Sequence, residues 1–172
     1  MIVVADTSPF IGLLKIGHVD VLYQLYGTVI IPSAVANELG SLNRPLMVQS
    51  FIKMPPTWIS VRNPVVRELI SGLDEGESAA IHLASELSAD LLLIDETKGR
   101  EEAAIRRIPT VRTAAILVEA ANVGLLNLRD AFDKLRATNF RVPEEALDAL
   151  LKRHEMFVLQ KKGAAGDVPK AE

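Results

Sequence analysis

The sequence predicts an α/β domain built on a central, mainly parallel sheet with helices on both faces. Short apolar runs such as Val3-Val4-Ala5 and Leu91-Leu92-Leu93-Ile94 are continuous, not alternating, as expected of strands covered on both sides. Between such runs lie segments whose apolar residues recur at helical spacing, so strand and helix signals alternate along the chain. A chain of 172 residues with 49% hydrophobic and 24% charged residues supplies one ordinary globular core.

The first strand covers residues 2–5 and stops at Asp6. Ser8 and Pro9 then supply N-cap and first-turn chemistry, which predicts a helix over 9–16 with Asp6 left free of capping. A short helix over 19–26 ends at Gly27, and 28–31 reads as the next strand. Pro32 and Ser33 start a helix carrying Val35, Glu38 and Leu39. Residues 40–64 are punctuated by Pro45, Pro55, Pro56 and Pro64 and hold a helix near 46–53 and a strand at 58–61, the least regular part of the chain.

Leu73 to Glu77 leads into a helix whose Ala80, Ile81, Ala84 and Leu87 share one face, with Glu77 in its first turn. A strand at 90–94 runs into Asp95. A polar helix over 98–107, an extended piece at 110–112 and an apolar helix over 114–122 closed by Gly124 follow. Two further helices, 129–137 and 143–159, complete the chain, the second announced by Pro143 ahead of Glu144 and Glu145. Residues 1–162 are thus expected to form a single domain. The polar, small-residue stretch 163–172 is expected to be a disordered tail.

Composition narrows the chemistry. A formal charge of -3 argues against a protein that coats nucleic acid by bulk charge, although a carboxylate cluster that binds a cation reverses its local field. The absence of cysteine excludes disulfides, thiolate zinc sites and cysteine nucleophiles. His18, His82 and His154 have no zinc-ligand spacing, and His82 reads as a surface residue and not a general base. The N-terminal apolar run lacks a basic flank and is broken by Asp6, and no apolar stretch approaches the roughly 20 residues of a membrane helix, so a soluble cytoplasmic protein is expected.

Against this background four acids stand out: Asp6, Glu38, Glu77 and Asp95. In an open parallel sheet the crevice at the strand C-termini is where ligands bind, so Asp6 and Asp95 face one crevice if their strands are neighbours. Mg2+ and Mn2+ prefer oxygen ligands and leave room for a substrate phosphate. Each acid also has a plainer reading. Asp6 can serve as a helix cap, Glu38 as a solvated surface acid, and Glu77, Glu75 or Asp74 as a charge at a helix N-terminus. Asp95, directly after a buried strand, is the hardest to explain that way. A phosphatase-like aspartyl nucleophile at Asp6 is disfavoured because Ser8 stands where such sites carry a second Asp. Lys98 and Arg100, nearest Asp95, are the candidate phosphate-binding cations. Arg106 and Arg107 read as a solvated face paired with Glu101 and Glu102, and Trp58, Tyr23 and Tyr26 as core or interface.

The order of these segments resembles the PIN domain family, and in particular its PIN-like branch of small prokaryotic proteins. The resemblance is carried by Asp6-Thr7-Ser8-Pro9, by residues 30–39 ending in Asn37-Glu38-Leu39, by Gly76-Glu77-Ser78-Ala79-Ala80, by residues 93–103 around Asp95, and by Asn139-Phe140-Arg141-Val142-Pro143. It spans about residues 2–151. It implies a Rossmann-like three-layer α/β/α fold with additional C-terminal helices and an endoribonuclease acting on single-stranded RNA with Mg2+ or Mn2+. The implied catalytic set is Asp6, Glu38, Glu77 and Asp95, all four as metal ligands, with Ser8 beside the first acid. Many PIN toxins have Asp as third acid where this chain has a Glu-Gly-Glu context, which leaves Glu75 and Glu77 both open for that place. The resemblance further implies the toxin half of a toxin-antitoxin pair, with a small antitoxin protein as partner. The apolar helices at 114–122 and 143–159 suit a homodimer, a higher oligomer or a partner interface. The alternative is a noncatalytic PIN-like protein-interaction module.

Overall fold

The structure, a computed structural model, describes residues 1–166. The chain begins with β1 (Val3–Ala5), α1 (Thr7–Lys15), α2 (Val21–Tyr26) and β2 (Val29–Ile31). It continues through α3 (Ser33–Leu39), α4 (Leu46–Lys53), β3 (Ile59–Val61) and α5 (Glu75–Glu86). Then follow β4 (Leu91–Leu93), α6 (Thr97–Ile105), β5 (Thr110–Val111), α7 (Thr113–Asn122), α8 (Leu128–Arg136) and α9 (Glu144–Gly166).

All pairings in the five-stranded sheet are parallel, in the order β3-β2-β1-β4-β5. The chain winds outward from β1 through β2 to β3, then returns to the other side of β1 to lay down β4 and β5. The reversal lies between β1 and β4, whose register pairs Ala5 with Leu93. Such a switch point opens a crevice at the strand C-termini, because the connections on either side leave in opposite directions.

Two apolar layers explain why the strands are continuous in hydrophobic character. Val3, Ala5, Val29, Ile31 and Leu93 pack with Phe10 and Leu13 of α1, Leu22 of α2, Ile116 of α7 and Phe132 of α8. Val4, Leu92 and Ile94 point to the opposite side, against Ile81 and Ala84 of α5 and Ala103 of α6. Each fully buried side chain of this size contributes about 1.5–3 kcal/mol. The proline-punctuated stretch is seated by aromatic contacts, with Phe51 of α4 6.0 Å from Phe10 and 6.1 Å from Trp58 between ring centroids. Gly27 ends α2 at φ +70°, a conformation that a side chain would strain. Tyr26 and Trp58 are buried, and the exposed Tyr23 stacks on Trp58, so the aromatics serve packing. Arg106 pairs with Glu102 one helical turn away.

At the C-terminal end Leu147 and Leu151 of α9 join the first layer. Arg136 of α8 pairs with Asp133 on its own helix at 2.9 Å and spans to α9, reaching Glu144 at 2.7 Å and Asp148 at 2.9 Å. Of the tail expected at 163–172, residues 163–166 instead continue α9, and 167–172 lie outside the described residues. Extending an existing helix through Ala164 and Ala165 costs little, since nucleation is already complete and alanine is the best helix former. Among the described residues no helix is long and apolar enough to cross a membrane.

Phe132 is fully buried where α8 meets the sheet layer. Phe132→Ala is expected to lower the unfolding free energy by about 3–5 kcal/mol, measured as a reduced midpoint in urea.

Candidate functional site

Asp6 is the residue at which β1 becomes α1. Its backbone is extended, its amide donates to the Leu93 carbonyl at 2.9 Å, and the chain is helical from Thr7 onward. Asp6 is therefore the N-cap, which corrects the expectation that Ser8 caps the helix. The strand runs straight into the helix, so Ser8 falls inside the first turn, and its amide and hydroxyl both reach Asp6 Oδ2 at a long 3.5 Å. Asp6 is 2% exposed, and its Oδ1 is buried with no hydrogen-bond partner among the described residues. Burial, and to a lesser degree the charges of Glu77, Asp74 and Glu38, lift its pKa from 3.8 to about 7, against the opposing Thr7 backbone hydrogen bond.

Asp95 leaves the neighbouring strand at the same edge. Thr113, fully buried at the start of α7, donates to it twice, from its amide to Oδ1 at 2.9 Å and from its hydroxyl to Oδ2 at 2.7 Å. Burial raises the Asp95 pKa, opposed by these two hydrogen bonds and by the charges of Arg112 and Arg100.

The two glutamates are held differently. Glu38 lies on α3, and both its oxygens are engaged: the Thr7 hydroxyl donates to Oε2 at 2.7 Å and the Gly76 amide to Oε1 at 3.1 Å. Gly76 has no Cβ, and one built there would stand 2.9 Å from Glu38 Cδ and closer still to Oε1, so the glycine makes room for the carboxylate. Glu77 forms a reciprocal capping box with Asp74, accepting from the Asp74 amide at 3.0 Å while its own amide donates to Asp74 Oδ1 at 2.8 Å. Its pKa is raised, chiefly by burial and then by Asp74, Glu96 and Glu38.

Ser8, Glu77 and Asp95 line one pocket of about 350 Å³, together with Glu96 and the cations Lys15, Arg44 and Arg141. Asp6 and Glu38 are not among its lining residues: Asp6 is buried behind Ser8, which reaches it at 3.5 Å, and Glu38 is bonded to Thr7, next to Asp6 in the chain. Glu75 instead lines a separate, smaller pocket with His82, so the two acids flanking Gly76 face different cavities. His82 is buried, with Nε2 at 3.0 Å from the Glu68 carbonyl, which corrects its reading as a surface residue. The segment 64–70 folds over α5 and covers a ring that the helical pattern alone leaves in solvent.

Lys98 and Arg100 do not line the acid pocket. The Lys98 ammonium lies beside Gly72, and Arg100 reaches Thr97 at 3.4 Å. The cations that do line it come from α1, from the loop after α3 and from the loop before α9. Phe140 lines it too, its ring laid where a Cβ on Gly12 would stand 2.8 Å away. Of the rim cations only Arg141 lies in a segment that carries the family resemblance, Asn139-Phe140-Arg141. Nothing local in the chain marks Lys15 or Arg44.

The donor set suits a hard divalent cation. Asp6 offers an orphaned oxygen, and Glu77 and Asp95 retain lone pairs beyond those their donors occupy. Among the described residues, however, no three acids or histidines stand together as a ready metal cluster. Glu38 is turned to Thr7 and Gly76, and Glu77 toward Asp74, which accounts for the dispersal.

A raised carboxylate pKa means that the folded state prefers the protonated form. The contribution of Asp6 to stability is therefore complete below about pH 4 and is lost as pH rises through about 7. In chelator, wild-type unfolding free energy should fall between pH 5 and 8 by on the order of 2 kcal/mol more than that of Asp6→Asn. Parallel pH profiles would show that Asp6 ionises as an ordinary aspartate. Gly76→Ala should displace the Glu38 carboxylate and cost about 1–3 kcal/mol, read as a drop in thermal midpoint.

Comparison with known proteins agrees with this architecture. Among curated proteins none is similar enough to match the chain. A solved structure of a PilT N-terminus domain protein from the hyperthermophilic archaeon Sulfolobus solfataricus P2 superposes with a TM-score of 0.53 at 20% identity, over 70% of this chain and 93% of that one. That likeness is one of fold. The family model DUF3368, described as a PIN domain, matches residues 2–156. The chain belongs to the PIN domain family.

Proposed function

We propose that the protein is a divalent-metal-dependent endoribonuclease that hydrolyses single-stranded RNA, acting as the toxin half of a toxin-antitoxin pair. PIN domains are generally nucleases. The observation that carries the reading is the pair of carboxylates leaving adjacent parallel strands at the switch point, one of them buried with an oxygen that has no partner among the described residues.

Asp6, Glu77 and Asp95 are the residues that would hold the ion, with Glu38 completing the quartet from behind Thr7. Mg2+ or Mn2+, when bound, lowers the pKa of a water and withdraws charge from the phosphodiester. Thr113 holds Asp95 in one orientation before any ligand arrives, which spares reorganisation when charge develops. The Ser8 hydroxyl, beside Asp6, can donate to that carboxylate or to a substrate oxygen. Lys15, Arg44 and Arg141 supply positive charge around the acids for the phosphate. Arg100 acts on Asp95 through space, and Lys98, beside Gly72, stands outside the acid pocket.

Met156, Phe157 and Leu159 are exposed on α9 and offer apolar surface to a small antitoxin or to a second copy in a homodimer. The same surface favours the second reading, a noncatalytic interaction module. Purified protein given single-stranded RNA and Mn2+ or Mg2+ should cut it, should stop in chelator, and should lose at least about 100-fold in rate as Asp6→Asn or Asp95→Asn. Undiminished cutting by both variants would sink the carboxylate mechanism. A wild type that neither cuts RNA nor binds metal would leave the interaction module.

A further inference from the structure

A second groove, of about 490 Å³, meets the acid pocket at Asp95 and Arg141. Its volume is within the range of roughly 300–1,000 Å³ usual for ligand sites. It lies between the start of α7 and the first turns of α9. Arg112, Arg141 and Arg153 stand around it, and Val142, Pro143 and Leu150 give it an apolar side.

The charge of this groove is not the charge of the chain. Asp95 is the one carboxylate among its lining residues, although the protein as a whole carries -3. Arg106, Arg129 and Arg136 are each tied to an acid, whereas among the described residues none of the three groove arginines forms an ion pair. All three are exposed. An arginine without a carboxylate keeps its planar fork of donors for a phosphate, and its flat face, like an apolar wall, accepts the face of a base.

We infer that this groove is the track by which single-stranded RNA runs on from the acid pocket. Phosphates beyond the one being cut are held by Arg112, Arg141 and Arg153, and a base rests against Val142, Pro143 and Leu150. The assignment rests on the ribonuclease reading and deepens it, because it gives the strand a direction and makes length of substrate a determinant of affinity.

The test compares a dinucleotide with a single strand of about 12 nucleotides, using wild type, Arg153→Ala and Arg153→Lys; Arg112 is left intact because its charge acts on Asp95. Arg141 is left intact because it also borders the acid pocket. Circular dichroism checks that these surface variants fold. For the longer strand the alanine variant should show KM raised about 5-fold with kcat little changed, and a salt dependence of log affinity shallower by about 0.7 for one lost contact. Dinucleotide cleavage should be unaffected, and lysine should restore part of the affinity. If wild type cuts both substrates and the alanine variant keeps the same KM and salt slope for the longer strand, the track is overturned while the ribonuclease reading stands. A wild type that neither binds nor cuts either RNA overturns both.

Discussion

The hydrogen-bonded pairing of β1 with β4 sets the position of everything at the functional edge. These strands are buried on both faces, so their ends are where polar groups first become tolerable, and each chain segment places an aspartate there. The Asp6 amide completes the ladder to Leu93 while its side chain turns away to cap α1. One residue thus ends a strand, starts a helix and buries a carboxylate behind Ser8 at the crevice. Its burial follows from the first two tasks, and the unpaired oxygen follows from the burial.

Around that pair the protein holds its other acids by local donors of different kinds. Glu38 is gripped between a threonine hydroxyl on α1 and a glycine amide on α5, so it ties two helices on opposite sides of the sheet edge. Hydrogen bonds to a charged group are worth about 1.5–3 kcal/mol each, enough to fix a carboxylate that would otherwise drift in solvent. Asp95 is clamped by a single threonine through both backbone and side chain. Glu77 is bound into the cap of its own helix. The crevice is therefore partly neutralised by dipoles, and Asp6, buried among the other acids, relieves the remaining repulsion by holding its proton up to about pH 7.

Much of this order is legible in the chain because burial on both faces leaves continuous apolar runs, and each run is short enough that its end can be read to within a residue or two. Asp6 and Asp95 stand out for that reason. The contacts that orient them do not. Thr113 lies 18 positions beyond Asp95 and Gly76 lies 38 beyond Glu38, and no periodicity connects such pairs. The cationic rim is drawn from Lys15, Arg44 and Arg141, which only the winding of the sheet brings together. The burial of His82 is not legible, because helical spacing reports the face turned to the helix's own core and not the loop that folds back over it. The cap of α1 lies two residues before the Ser-Pro start signal, because Asp6 just upstream already fills the role.

Phe140 resting against Gly12 has a further meaning for how the C-terminal helices relate to the rest of the domain. The loop that carries Arg141 is anchored on the first helix of the chain, while the helices on either side of that loop are joined to each other through Arg136. Positions 12 and 140 consequently form a lock and key of volume: room removed from one must be returned by the other. Related chains that carry a larger residue at the first position should carry a smaller one at the second, and the reach of the arginine next to it should shift with that exchange.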